Sequence, residues 1–226
     1  MSDESGSPRP ARARSQRRLK ATRQKLIKAA RAVFAEKGLD LTRIDDITEK
    51  ADIGKGTFYN YFKSKEQLIR ELIKELLQEL TACIEATCSG EHDLTGLLDK
   101  LIGAHIQFFS NRWEDFVVYF QGRTDLTLEQ GYSGIETPFL DYLTRVESLL
   151  ASRIMYRLSK AVLRRIACAV AGFVSGYYSF AVIASLDEDI DATFVSLRTA
   201  MAASLARFIQ EASPTPELQE KRTDVG

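Results

Sequence analysis

The sequence predicts an all-α fold made of two modules, and three observations carry that reading. Apolar residues recur at helical spacing from about Leu19 to Ala212. No run alternates apolar and polar residues between turn signals, as a half-buried strand would. Charge is also divided along the chain. Met1–Lys65 holds 16 basic and 8 acidic residues, and the remainder holds 15 and 23, so a +8 segment precedes a −8 body in a chain of net charge zero. A basic first quarter on an acidic body points to one module that meets a polyanion. With 226 residues, 45% hydrophobic and 27% charged, the chain can bury a sizeable core, which argues against a disordered, collagenous or disulfide-scaffold protein.

The elements follow in order. Residues 1–18 are rich in Ser, Pro, Arg and Ala without an apolar period, and are expected to form a disordered basic arm. The arm offers either a solvated leader or extra phosphate and minor-groove contacts. Leu26, Ala30, Val33 and Phe34 predict a first helix from about Leu19 to Lys37, closed by Gly38. Thr42, with Asp45 three residues on, opens a second helix ending near Ala51. A short helix starts at Gly54. Ser64 and Gln67 cap a long fourth helix whose apolar face includes Leu68, Leu72, Leu76, Leu80 and Ile84. Further helices are expected over Leu94–Asn111, Trp113–Gln121, Thr137–Arg157, Lys160–Ser185 and Ile190–Ala212, with a long loop over Gly122–Pro138 and a frayed tail after Ser213. The expected divisions are therefore 1–18, 19–65, 66–212 and 213–226.

Ile166–Leu186 has 21 residues without a charge, long enough to cross a bilayer. Its serines, tyrosines and glycines fit better a helix buried on most sides. There is no apolar leader segment at the N-terminus, and the odd cysteine count (Cys83, Cys88 and Cys168) suits a reducing cytosol.

The informative segment is Thr42–Lys65, TRIDDITEKADIGKGTFYNYFKSK. It reads as two short helices joined by a tight turn at Asp52–Ile53–Gly54, a helix-turn-helix unit. Ile47, Ala51, Ile53, Phe58 and Phe62 supply its small core. Lys55, Thr57, Tyr59, Asn60, Tyr61 and Lys63 then form a face dense in hydrogen-bond donors and free of acid, as base edges and phosphates require. Gly56 permits close backbone approach, and Lys65 beside the start of the fourth helix can hold a phosphate.

On these residues the segment resembles the DNA-binding domain of the TetR (tetracycline-repressor-like) family of bacterial transcriptional regulators. The likeness rests on Phe34, Gly38, Thr42, Ile47, Ala51, the run Lys55–Tyr59, Tyr61–Phe62 and Ser64–Leu68, and extends over about Thr22–Leu72. Thr48, Asp52 and Gly54 depart from the family's usual Ala, Gly and Ser. The resemblance implies phosphate contacts from Thr42, Tyr59 and Lys65. Arg43, Lys55, Thr57, Asn60 and Tyr61 would approach bases or neighbouring phosphates. It further implies a homodimer that reads a pseudo-palindromic operator in double-stranded DNA, and a small-molecule effector that releases it by moving the fourth helix.

Small residues at four-residue spacing, Cys168, Gly172 and Gly176 with Ser175 beside them, allow close helix approach. Phe194, Leu197, Met201 and Leu205 form a stripe that needs a partner helix. These are the expected dimer residues. Phe109, Trp113, Phe116, Tyr119 and Phe120 crowd a short stretch, with His105, Arg112, Gln121 and Arg123 nearby and Tyr177 and Tyr178 on the eighth helix. They read either as core or as a pocket for a largely apolar or aromatic effector. No nucleophile elbow, metal-binding histidine pair or phosphate-binding glycine loop occurs, so neither an enzyme nor a cofactor or metal is expected. A helical small-molecule carrier and a thiol-based redox sensor are the alternatives.

Overall fold

The computed structural model describes residues 10–110, 112–124, 136–155, 158–183 and 190–212. Every regular element among them is a helix: α1 (Pro10–Lys37), α2 (Ile44–Lys50), α3 (Lys55–Tyr59), α4 (Lys65–Thr87), α5 (Leu94–Ser110), α6 (Trp113–Thr124), α7 (Glu136–Arg153), α8 (Lys160–Ile183) and α9 (Ile190–Ala212). The all-α expectation holds. The largest departure is at the start, where α1 begins at Pro10 and so turns the second half of the expected disordered arm into helix. Proline costs nothing in a first turn, where its missing N–H would have no partner, and the Ala, Arg and Gln that follow are good helix formers. The expected tail after Ser213 lies outside the described residues.

The chain divides into two compact units. The first takes the residues up to Ile73 together with Glu114–Asp125, and so extends past the expected boundary at Lys65 and includes most of α6. Its core is formed by Leu26, Ala30, Val33 and Phe34 of α1, with Ile47, Phe58, Phe62, Leu68 and Leu72, all buried. Helix α6 joins this unit through specific contacts. Asp115 pairs with Arg31 at 3.1 Å. Gly122 lies so close to Ile73 that a side chain at 122 would collide with it.

The second unit is built on α5, which is buried from Leu97 to Phe109 at nine positions. Helix α5 packs on α9 and α8, and α7 packs on α8. Gly103 lets α9 come close, since a Cβ there would stand 3.0 Å from the Arg198 guanidinium. Arg198 in turn pairs with Asp99 of α5 at 3.0 Å, and Arg164 of α8 pairs with the buried Glu147 of α7. The uncharged stretch of α8 buries Val170, Ala171, Val174 and Tyr178. Its serines bond back along the helix, Ser175 to the Ala171 carbonyl at 2.7 Å and Ser179 to that of Gly176 at 2.9 Å. Among the described residues no helix is long and apolar enough to cross a membrane.

His105 is fully enclosed in this core. Its Nδ1 lies 2.6 Å from the Leu101 carbonyl, which can only accept, so Nδ1 carries the proton. The remaining ring nitrogen, Nε2, then accepts from the Tyr142 hydroxyl of α7. Burial pushes the imidazole down to about 4, against the weaker opposing effect of the Leu101 bond. Above pH 6.5 the ring is neutral in both folded and unfolded chains. Below it, only the unfolded chain takes up a proton, so stability falls as the pH drops toward 4. Urea unfolding at pH 7 and pH 5 should show a loss of about 2 kcal/mol from this group. A His105→Gln variant should lose correspondingly less over the same interval. An equal loss in both proteins would mean that His105 is not the group responsible.

Candidate nucleic-acid interface

The helix-turn-helix is assembled from local backbone devices. Gly38 closes α1 with φ +80, its N–H bonded to the Phe34 carbonyl at 2.8 Å. The cap of α2 falls one residue later than expected: Arg43, in extended backbone, precedes the helix, and the Asp46 carboxylate accepts its N–H at 2.8 Å. Lys37 bonds the same carboxylate at 2.6 Å. These two bonds, the Lys37 contact foremost, hold Asp46 below the ordinary carboxylate range. The turn between α2 and α3 requires a left-handed residue, and Asp52 adopts φ +51 there, a conformation Asp tolerates because its short polar side chain can bond locally. Gly54 then caps α3.

Phe58 and Phe62 turn inward and are fully buried, with ring centroids 5.6 Å apart. Phe62 also lies under Arg23 of α1, at 5.5 Å. With those rings inside, α3 presents Lys55, Gly56, Tyr59 and Asn60 to solvent, with Thr57 and Tyr61 half-buried beside them and Arg43 exposed at the start of α2. Nothing lies within 4 Å of where a Cβ on Gly56 would stand, so packing within the chain does not demand glycine there. Lys55 carries a partner that sequence reading missed. Asp45 pairs with its ammonium at 2.7 Å, which raises the lysine's pKa. The signal was the ten-residue separation of two opposite charges, which acquires meaning only once α2 and α3 are set against each other.

The second unit departs from the expected pocket. His105 belongs to the core described above. Arg112 pairs with Glu79 at 2.6 Å and lies over the Phe108 ring at 4.2 Å. Phe109 and Tyr178 are buried, Tyr177 is packed on the Phe194 ring with centroids 4.2 Å apart, and Trp113 is partly exposed. Phe116, Tyr119 and Phe120 belong to the first unit, where Phe116 stacks with Phe120 at 5.9 Å. Arg123 lies outside the residues whose side chains are described. None of the expected pocket residues is among those lining the cleft of about 310 Å³ bordered by α4 and α7, or that of about 490 Å³ bordered by α5 and α9, which Phe194 does line. Sequence proximity of the aromatics misled because α6 folds with the other unit. The α4–α7 cleft is lined instead by Lys74, Leu77, Thr81, Pro138, Tyr142 and Arg145, among others.

The expected dimer residues also divide. Cys168 and Gly172 are exposed and Leu197 is 45% exposed, while Gly176, Met201 and Leu205 are half-buried. Ser175 and Phe194 are buried within the chain. Among the described residues no atom lies within 4 Å of the Cβ positions of Gly172 or Gly176, so that side of α8 is open to them. Cys88 is fully buried and burial pushes its thiol up to about 11, which keeps it protonated and unreactive.

Two expected phosphate contacts, Thr42 and Lys65, have other roles in the fold. Thr42 is buried, and its hydroxyl donates to the Gly38 carbonyl at 2.6 Å. The Lys65 ammonium donates to three carbonyls of the α1–α2 connection, those of Leu39 at 2.8 Å, Thr42 at 3.0 Å and Asp40 at 3.2 Å. An ammonium has three N–H donors, so all are engaged. From the other side, the Gln121 side chain of α6 accepts the Leu39 N–H at 2.7 Å. The connection is therefore clamped by one side chain at the start of α4 and one on α6. Replacing Lys65 by Met keeps length and helix propensity but leaves three carbonyls to water. It should lower stability in urea unfolding by about 1–3 kcal/mol, and unchanged stability would refute the clamp.

Comparison with known proteins agrees with this geometry. The family model "Bacterial regulatory proteins, tetR family" matches residues 26–72, which span the helix-turn-helix and the start of α4. The HTH-type transcriptional regulator YvdT of Bacillus subtilis is 31% identical over 131 residues, 58% of this chain and 66% of YvdT. The HTH-type transcriptional repressor KstR2 of Mycolicibacterium smegmatis is 32% identical over 100 residues, 43% of this chain and 47% of KstR2. The chain thus spans two thirds or less of these relatives' length. Among solved structures, the transcriptional regulator FadR of Bacillus subtilis in complex with stearoyl-CoA shares the fold, with a TM-score of 0.62 at 21% identity over 79% of this chain and 96% of FadR. The clamped helix-turn-helix, matched by the family model and by the sequences of regulators that carry the same motif, makes this chain a member of the TetR family of bacterial regulatory proteins.

Proposed function

We propose that the protein is a homodimeric transcriptional repressor that binds a pseudo-palindromic operator in duplex DNA and is released by a small anionic effector. The observation that carries the DNA reading is the acid-free exposed face of α3. Lys55, Thr57, Asn60 and Tyr61 approach bases or adjacent phosphates, Tyr59 a phosphate, and Arg43 the neighbouring groove edge. Gly56, with open space over it, admits the DNA backbone. Lys55 exchanges its exposed Asp45 partner for DNA, which a surface ion pair permits at little cost. Thr42 and Lys65 support this face from behind. The open sides of α8 and α9, with Gly172, Leu197 and Phe208 exposed, supply the surface for a second copy.

The α4–α7 cleft is the effector site in this reading. Among the described residues Lys74 and Arg145 line it without an ion pair, together with one acid, Asp141, and the apolar walls of Leu77, Pro138 and Tyr142. A volume of about 310 Å³ suits a compact ligand, and two cations suit a carboxylate or phosphate. That the related fold of FadR takes stearoyl-CoA supports an anionic amphiphile in preference to the largely apolar or aromatic effector expected from the aromatic cluster. Ligand on α4 then favours a state of the dimer whose two reading heads no longer match the operator.

Selection of bound duplexes from a random pool should recover an inverted repeat with half-site centres about 34–36 Å, or a multiple of that, apart. Failure to enrich any sequence, after unfolding, ligand extraction and refolding, would overturn the DNA reading. On the recovered duplex, Arg43→Ala and Lys55→Ala should each cost about 1–3 kcal/mol and relax preference at one position. Lys65→Met should weaken binding without changing its salt slope, because no phosphate contact is removed. A slope reduced by about one would restore Lys65 as a phosphate ligand.

A further inference from the structure

Helix α1 carries a charge pattern that the helix-turn-helix does not use. From Arg9 to Ala35 the chain has ten basic residues and no acidic one. Two of the ten are engaged inside the first unit, Arg23 with Glu71 at 2.6 Å and Arg31 with Asp115 at 3.1 Å. Arg14, Arg17, Arg18, Lys25 and Lys28 are all exposed, and none has an ion pair among the described residues. At about 3.6 residues per turn these five fall within an arc of about 100°, on the side of α1 away from the buried Leu26, Ala30 and Val33. Arg14 and Lys28 are fourteen residues apart, so the stripe is about 21 Å long.

At its start, the helix that bears this stripe has only helix propensity to support it, with neither burial nor ion pairs. No residue from Arg14 to Ala21 is buried. With no acid between Glu4 and Glu36, no (i, i+4) ion pair supports it, and Arg14 and Arg18 repel each other at that spacing. A polyanion laid along the stripe removes that repulsion. An anionic membrane would also do so, but a membrane-surface helix needs an apolar face, and Leu19 is the one large apolar residue from Arg14 to Lys25.

We infer that the stripe Arg14–Arg17–Arg18–Lys25–Lys28 is a second DNA surface, which binds backbone phosphates flanking the operator without reading bases. This rests on the DNA reading proposed above. The stripe adds affinity and salt dependence and leaves sequence preference to α3 and Arg43.

The test uses the full chain and the selected inverted repeat in two duplexes, one cut at the outer edges of the half-sites and one carrying ten further base pairs on each side. The five-residue variant R14Q/R17Q/R18Q/K25Q/K28Q retains helix propensity. If its melting temperature falls, R14Q/R17Q/R18Q, confined to the part of α1 without buried residues, replaces it. The natural protein should bind the longer duplex more tightly and with a steeper salt slope. The variant should lose that advantage while selecting the same repeat. Each contact removed should lower the slope by about 0.9, which is about 3.5-fold less weakening between 50 and 200 mM salt. Equal binding of both duplexes by the natural protein overturns the proposal, as does an equal loss by the variant on both. Variant-sensitive binding to phosphatidylserine vesicles, with no effect on DNA, also overturns it and assigns the stripe to a membrane. If the natural protein binds neither duplex, the DNA reading itself has failed, and the stripe with it.

Discussion

The first unit depends on how the connection between α1 and α2 is held. This short stretch contains polar backbone that no helix satisfies, and it must set the start of α2 relative to α1. Three of its carbonyls converge on one ammonium, that of Lys65, and the Leu39 N–H is taken by Gln121. A lysine suits this position because its three rotatable donors can meet three carbonyls that share no plane, which a planar guanidinium cannot do. Both side chains come from helices that follow the helix-turn-helix in sequence. The reading head is therefore closed by elements outside its own motif.

The exposed face follows from that closure. With Thr42 turned inward and Lys65 engaged, the polar groups available to a ligand are those of Arg43 and α3. Phe58 and Phe62 fix which way α3 faces by occupying the core beneath Arg23. Lys55 stays at the surface, paired with Asp45, so its ammonium is solvated and exchangeable. A helix as short as α3 gains little stability from its own hydrogen bonds, and tertiary burial of its phenylalanines holds it in place.

In the second unit, cohesion comes from α5 and from polar contacts that bridge helices. His105 links α5 to Tyr142 of α7, Asp99 links α5 to Arg198 of α9, and Glu147 links α7 to Arg164 of α8. These contacts leave the outer sides of α8 and α9 uncovered, around Gly172, Phe180 and Leu197. Among the described residues nothing lies within 4 Å of the Cβ positions of Gly172 and Gly176 there, as a surface for close helix approach would require.

Apart from the first turns of α1, the sequence by itself determined the helices, because each needs only a periodic apolar stripe and a local stop. Thus α9 begins and ends where the stripe from Ile190 to Ala212 does, and Gly38, Asp52 and Ser64 act where turn chemistry places them. It also determined the identity of the reading segment, since the spacing of Gly38, Phe58, Phe62 and Lys65 is local. Tertiary structure decided everything that depends on which helices meet. The aromatic run from Phe108 to Phe120 is continuous in sequence, yet its halves belong to different units. Lys65 reads as a solvent-facing cation until carbonyls some 23–26 residues away are brought to it. Periodicity encodes the face a helix buries but not the partner it buries against, because apolar burial is non-directional, while hydrogen bonds and ion pairs exist only at the distances the packed chain sets.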